Sequence, residues 1–168
     1  MDYEALKLKI KDWPKPYKWM VEDIIKGITL AEANYLVGLG LMVYTEVVGK
    51  KILEFQRSEI GSPKTRFLFF LKEYMGYDEE VKRYGEKMYN WYRNGLSHDY
   101  TIAGRKTGIH IRFSEKDKDK IERCGINTKR GLVIDEGEEM FFIVLEPYLF
   151  GFVDGIQKFL NEIYPQPK

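Results

Sequence analysis

From Tyr35 to Val48 the chain is apolar at nearly every position, and the only charge in the run is Glu46. About fourteen residues fall well short of the ~20 apolar residues that cross a bilayer. A stretch this apolar on all sides reads instead as the central helix of a bundle, packed on every face. It also poses a chemical question, because a carboxylate taken out of water needs a partner. Glu46 either bonds a functional group elsewhere in the chain as its second shell or makes the ordinary intrahelical contact with Lys50 at i+4.

The segments around this helix fall into a recognisable order. Ala5 to Asp12 is short and charged, with no clear structural preference, and Trp13-Pro14-Lys15-Pro16 breaks any helix there. A helix follows from about Tyr17 to Lys26, with Gly27 as its stop. Thr29-Leu30-Ala31-Glu32 has the spacing of a capping box and predicts the start of the long helix, which reaches about Arg57. Gly61-Ser62-Pro63 separates it from a helix over 64–74, and Gly76-Tyr77-Asp78 supplies a second stop and a new N-cap. Val81, Tyr84, Gly85, Met88, Tyr92, Gly95 and Leu96 recur at intervals of three and four, which predicts one helix over 78–99.

Beyond Tyr100 the period changes. Gly108 to Phe113 alternates, Leu132 to Ile134 is a short apolar run, and Met140 to Leu145 is a third strand candidate. These predict a small antiparallel hairpin or sheet, inserted at about 106–145. A last helix over 147–164 carries Leu149, Phe152, Val153, Ile156, Phe159, Leu160 and Ile163 on one stripe. The expected fold is therefore mainly α: a helical bundle (17–100 and 147–164) with a small β insertion before the C-terminal helix. A chain of 168 residues with 44% hydrophobic content suits a single domain over 1–168.

Charge narrows the function classes. With 27 basic and 26 acidic side chains the net charge is +1, so no overall positive field draws the chain to a nucleic-acid backbone, and any RNA contact has to be local. Lys50, Lys51, Arg57, Lys64 and Arg66 form one locally basic stretch, readable either as ordinary helix-end cations or as phosphate contacts. The alternating run within Ser114 to Lys120 cancels its own charge and reads as a solvated loop. Cys124 is the single cysteine and reads as a structural thiol in a reducing compartment. The first sixteen residues offer no signal-peptide apolar core, so a cytoplasmic location and no membrane association are expected. No metal-ligand cluster and no cofactor motif is present in the sequence. His110 lies in an alternating strand, where a surface or cross-strand role is expected.

The remaining histidine belongs to a denser constellation. On a wheel of ~100° per residue, with the apolar stripe of helix 78–99 at 0°, Arg93, Ser97, Asn94 and His98 fall at roughly 120°, 160°, 220° and 260°. All four are then expected to face away from the core. Together they offer a permanent bidentate cation, two neutral hydrogen-bonding groups and one group that titrates near neutral pH, a set suited to phosphate chemistry. An ordinary polar helix face has the same look, so spacing alone decides little.

The text Tyr92-Arg93-Asn94-Gly95-Leu96-Ser97-His98-Asp99-Tyr100 resembles the motif of HEPN domains (higher eukaryotes and prokaryotes nucleotide-binding). Arginine is followed by a polar residue, and histidine comes five positions after the arginine with an aromatic two residues further on. Apolar helices before the motif and a closing helix after it fit the same family. The resemblance covers roughly residues 17–100 and the final helix, and the strands depart from a minimal HEPN bundle.

The resemblance implies a metal-independent endoribonuclease of toxin, antiviral or RNA-processing systems. His98 would be the general acid/base, Arg93 would stabilise charge on the phosphorane, and Asn94 would orient the histidine or the phosphate. The products would carry 2′,3′-cyclic phosphate. It further implies a homodimer that brings two motifs to one cleft, and a nucleotidyltransferase antitoxin that modifies Tyr100, whose plainer reading is an aromatic ending the helix. Ser97 and Glu46 would support the site from beside it. The competing expectation is an HEPN-like module that binds nucleotide, RNA or protein without catalysis.

Overall fold

The computed structural model describes residues 2–31, 34–98, 106–112, 131–135 and 140–165, with backbone only for 31, 97, 98, 106, 107, 134, 135 and 140. Cys124, Tyr100, Glu32, Phe113 and the charged run over 114–120 lie outside the described residues. The chain is mainly helical, with a three-stranded sheet ahead of the C-terminal helix. It divides into two compact units, one made of 1–38 and 105–150, the other of 39–104 and 151–168.

In the first unit, α1 (Tyr3–Lys9) occupies part of the segment that had no clear preference. Asp2 caps it, its carboxylate accepting from the Ala5 amide at 2.9 Å, and Leu6 is the residue it buries. Helix α2 (Lys15–Lys26) starts with Pro16 in its first turn, where the missing amide would have had no partner, and buries Val21, Ile24 and Ile25. Gly27 does not end it. The helix widens into a π segment, π1 (Gly27–Ala31). The Thr29 hydroxyl bonds back to the Ile25 carbonyl at 2.8 Å, so it continues the preceding helix rather than capping a new one. Helix α3 (Asn34–Phe55) begins after it.

The sheet has the order β1 (Lys106–His110), β3 (Met140–Val144), β2 (Leu132–Asp135). β2 and β3 pair antiparallel, as expected for strands four residues apart, with Leu132 opposite Ile143. β1 pairs parallel with β3, Gly108 opposite Phe142, so the sheet is mixed rather than wholly antiparallel. The central place goes to β3, which puts β1 and β2 on opposite edges, and the long connection from β1 lets it enter in the parallel sense. His110 is exposed and meets the Phe142 ring edge-on at 5.2 Å, the cross-strand role expected of it. Gly131 (φ +82°) turns the chain into β2; its carbonyl accepts from the Val144 amide, and a Cβ there would fall on the Val144 carbonyl.

Helix α7 (Leu145–Ile163) starts directly from β3. Its second residue, Glu146, is buried in the first unit. There it accepts a very short hydrogen bond from the Tyr3 hydroxyl and a bond from Arg112 Nε at 2.6 Å. Burial, reinforced by Glu146, pushes the Tyr3 hydroxyl up to about 12. This bond ties α1 to the start of α7 within that unit.

The second unit packs α3 from Leu39 onward with α4 (Pro63–Glu73), α5 (Asp78–Lys87) and the rest of α7. Ser62 caps α4, its hydroxyl accepting from the Thr65 amide, and Pro63 follows at the first helical position. Phe70 lies edge-on to Phe152 and stacks on Tyr74, whose ring also meets Phe159. The expected stripe of α7 is buried as read, from Leu149 through Leu160. Among the described residues no helix is long and apolar enough to cross a membrane.

Candidate functional site

The motif does not lie on one uninterrupted α-helix. After α5 the backbone passes into a second π segment, π2 (Met88–Asn94), and only then into a short α6 (Gly95–His98). Bonding from i to i+5 puts more residues into each turn than 3.6, so angles drawn at ~100° per residue drift as they cross it. Adjacent residues show the result: Met88 and Tyr89 are both buried, with Tyr92 after them. Tyr89 is pinned edge-on against Phe67 of α4 at 5.7 Å.

Arg93 is the residue most affected. Instead of facing away from the core, its side chain is only 19% exposed and turns toward α3. Its Nε and Nη2 both donate to Glu46 Oε2, at 2.8 and 2.6 Å, and its guanidinium lies 5.8 Å from the Tyr89 ring centroid. Glu46 therefore bonds the motif. The i+4 contact with Lys50 is not what forms, since Lys50 Nζ approaches Glu54 at 3.6 Å instead. A cation that enters the core side of its helix is within reach of the carboxylate whose desolvation most needs compensating.

A third residue completes the cluster. Arg66 Nη2, from α4, donates to the other oxygen of Glu46, Oε1, at 2.9 Å. Gly49 makes this approach possible. It lies three residues after Glu46 on the same face of α3, and a Cβ there would overlap the backbone carbonyl of Arg66. The two helices touch backbone to backbone, which delivers the Arg66 side chain to Glu46. Arg66 Nε is buried and has no hydrogen-bond partner. One carboxylate is shared by two guanidiniums, in a setting where each of the three side chains is 12–19% exposed.

The other expected site residues divide three ways. Asn94 is half-buried at the end of π2, directly after Arg93. Ser97 and His98 have helical backbone in α6, and their side chains are outside the description. Tyr100 lies outside the described residues. Arg66 was read only as part of a basic stretch, and nothing in its local spacing links it to Glu46 or Arg93; the usable signal was the lone acid in an apolar helix.

Most cations of that basic stretch have an acidic neighbour. Lys51 reaches Glu54 at 2.8 Å, Lys50 shares the same acid, and Lys64 pairs with Glu86 at 2.9 Å. The Lys51 hydrogen bond holds the Glu54 carboxyl below the usual range. Arg57 is exposed just past α3, in a left-handed conformation (φ 54°). Among the described residues no group of three or more His, Cys, Asp or Glu is placed to hold a metal ion. Comparison with protein-family models, curated proteins and solved structures found no match.

Proposed function

We propose that this chain is an HEPN-type, metal-independent endoribonuclease whose catalytic groups are Arg93 and His98. The observation that carries the reading is the fixing of Arg93 by Glu46. The first residue of the motif is held by two charge-assisted hydrogen bonds that it donates to a buried carboxylate, on a backbone that runs helically to His98 five residues on. A guanidinium oriented in this way is prepared to stabilise charge that develops on a phosphorane, and preorganisation is where most electrostatic catalysis comes from. His98 takes the 2′-hydroxyl proton or returns one to the departing 5′-oxygen. Asn94 orients the phosphate or the imidazole. Two such chains, paired as a homodimer, supply the acid and the base from two His98 side chains and leave a 2′,3′-cyclic phosphate. In a toxin–antitoxin setting, adenylylation of Tyr100 by a nucleotidyltransferase partner would silence the site by adding negative charge beside it.

One observation favours a second reading. Arg93 directs Nε and Nη2 into Glu46, which is what a guanidinium with a supporting role does, and an HEPN-like nucleotide-, RNA- or protein-binding module without catalysis would look the same. The two readings separate on incubating the purified chain with mixed RNAs in chelator. The catalytic reading expects cyclic-phosphate ends and a loss of at least roughly 10²-fold in rate in His98→Ala, the usual scale of general acid/base catalysis. Cleavage that survives His98→Ala, or that requires a divalent metal, would remove the ribonuclease assignment and leave the binding module.

A further inference from the structure

We infer that Glu46, Arg66 and Arg93 form an anion-exchange site, in which a phosphodiester oxygen displaces Glu46 from Arg93 while Arg66 keeps the carboxylate paired. The inference deepens the proposed function and rests on it only for the class of ligand.

The starting point is that one carboxylate serves two guanidiniums. The sharing is also divisible. Arg93 holds Oε2 and Arg66 holds Oε1, so one guanidinium leaves without disturbing the bond made by the other. Releasing Arg93 from an acid with no second partner would strand a buried carboxylate, which is a large penalty. Here Arg66 removes that penalty.

The orphaned donor points the same way. Arg66 gives Glu46 only Nη2, while its Nε is buried beside the cluster with nothing to bond. Nε and Nη2 form one edge of the guanidinium, and a carboxylate freed from Arg93 that turns onto this edge makes the side-on bidentate pair that Arg66 now lacks. The exchange therefore satisfies a buried donor at the moment that it frees Nε and Nη2 of Arg93 for a phosphate. Arg66 is fit to stay behind, because its backbone carbonyl is pressed against Gly49. Arg93 is fit to move, being 19% exposed and set at the end of π2. Arg66 is thus a positioning residue that the motif does not contain.

The test uses the full chain and a ligand that cannot be cleaved: a fluorescent 2′-O-methyl oligoribonucleotide, read by anisotropy at fixed salt, with ATP as a second arm to separate nucleic acid from free nucleotide. Binding by the wild type is expected in at least one arm, weakened at least tenfold by Arg93→Met. Arg66→Met should weaken binding about as much, because Arg93 is then locked to Glu46, and Glu46→Gln in the Arg66→Met background should restore it to within about threefold. Arg66→Lys keeps the charge but not the fork, and is expected to bind several-fold more weakly than wild type; it serves where Arg66→Met does not fold by circular dichroism. The inference is overturned if neither ligand binds the wild type, if Arg66→Lys binds like wild type, or if Glu46→Gln fails to rescue a folded Arg66→Met. None of these readouts depends on cleavage, so an inactive chain that shows the expected pattern discards the ribonuclease and keeps the exchange site.

Discussion

Among the described residues each unit buries one glutamate, and the two are solved differently. Glu146 sits in the first turn of α7, where the free amides of the helix end favour a carboxylate, and it is met by a neutral phenol, Tyr3, and by the exposed Arg112. Its surroundings sum to zero charge, and its bonds hold α1 in place. Glu46 lies in the middle of α3, where no helix end helps, and it is met by two guanidiniums that themselves are mostly buried. The first arrangement is complete as it stands. The second leaves a buried donor, Arg66 Nε, without an acceptor.

The largest effect expected from this difference is on stability. Glu46→Ala removes the carboxylate shared by two largely buried guanidiniums, and should lower unfolding free energy by about 3 kcal/mol, the lower end for breaking a buried pair because some solvent still reaches both arginines. Urea denaturation followed by circular dichroism measures it. A loss below about 1 kcal/mol would mean that the cluster is solvated like a surface pair and that the contrast with Glu146 is false.

Next comes the backbone contact that builds the cluster. Gly49→Ala places a methyl group on the Arg66 carbonyl, and α3 and α4 have to separate to admit it. A loss of about 1–3 kcal/mol is expected from such overpacking. It should be less than additive with Glu46→Ala, because both act on the same approach of Arg66. Full additivity in the double variant would show that Gly49 serves packing alone.

Glu146→Ala should be milder, at about 1–2 kcal/mol, since what it strands is a phenol that can turn toward water and a guanidinium already in it. Its local signature is loosening of α1, read as faster hydrogen exchange over 5–10 with little change over 41–53. Protection lost equally in both segments would show that Glu146 supports more than the N-terminal helix.

The contrast also explains what could be read in advance. The apolar run before Glu46, the stripe of α7 and the existence of the three strands follow from hydrophobic periodicity, although β1 forms at Lys106–His110 rather than over 108–113 and α7 starts two residues early, at Leu145. The two π segments did not announce themselves, because a shift in hydrogen-bond register leaves the order of apolar and polar residues unchanged. Gly27 kept its reputation as a stop while the helix ran through it, and the 78–99 wheel turned Arg93 the wrong way for the same reason. The parallel entry of β1 depends on where β3 lies, which no strand pattern encodes. For the candidate site, the type of residue was legible and the geometry was not. A lone acid in an apolar helix signals that a partner exists, but Arg66 reaches residue 46 where a glycine at 49 lets two backbones touch, and Arg93 reaches it from a π segment.

The smallest effect separates the two glutamates by pH. Burial and the bond to Glu146 raise the Tyr3 hydroxyl to about 12, above its ordinary value of 10.0, so the folded state holds that proton more tightly than the unfolded chain does. The stabilisation linked to it is complete below pH ~10 and disappears as pH rises through ~12, since in that window the unfolded chain has released the proton and folding must take it back. Tyr3→Phe removes the titrating group, so its stability should fall less steeply than that of the wild type between pH 10 and 12, although it starts lower at pH 8 for want of the bond to Glu146. Tyr74, also raised by burial and by its bond to Glu162, contributes to both proteins and cancels in the comparison. Glu46→Gln should keep the wild-type slope, because it leaves Tyr3 and its bond to Glu146 in place. Urea midpoints at pH 8, 10 and 11.5 for the three proteins decide the matter. If Tyr3→Phe falls as steeply as the wild type, or if Glu46→Gln flattens the curve, the proton-holding site is not the one that ties down α1.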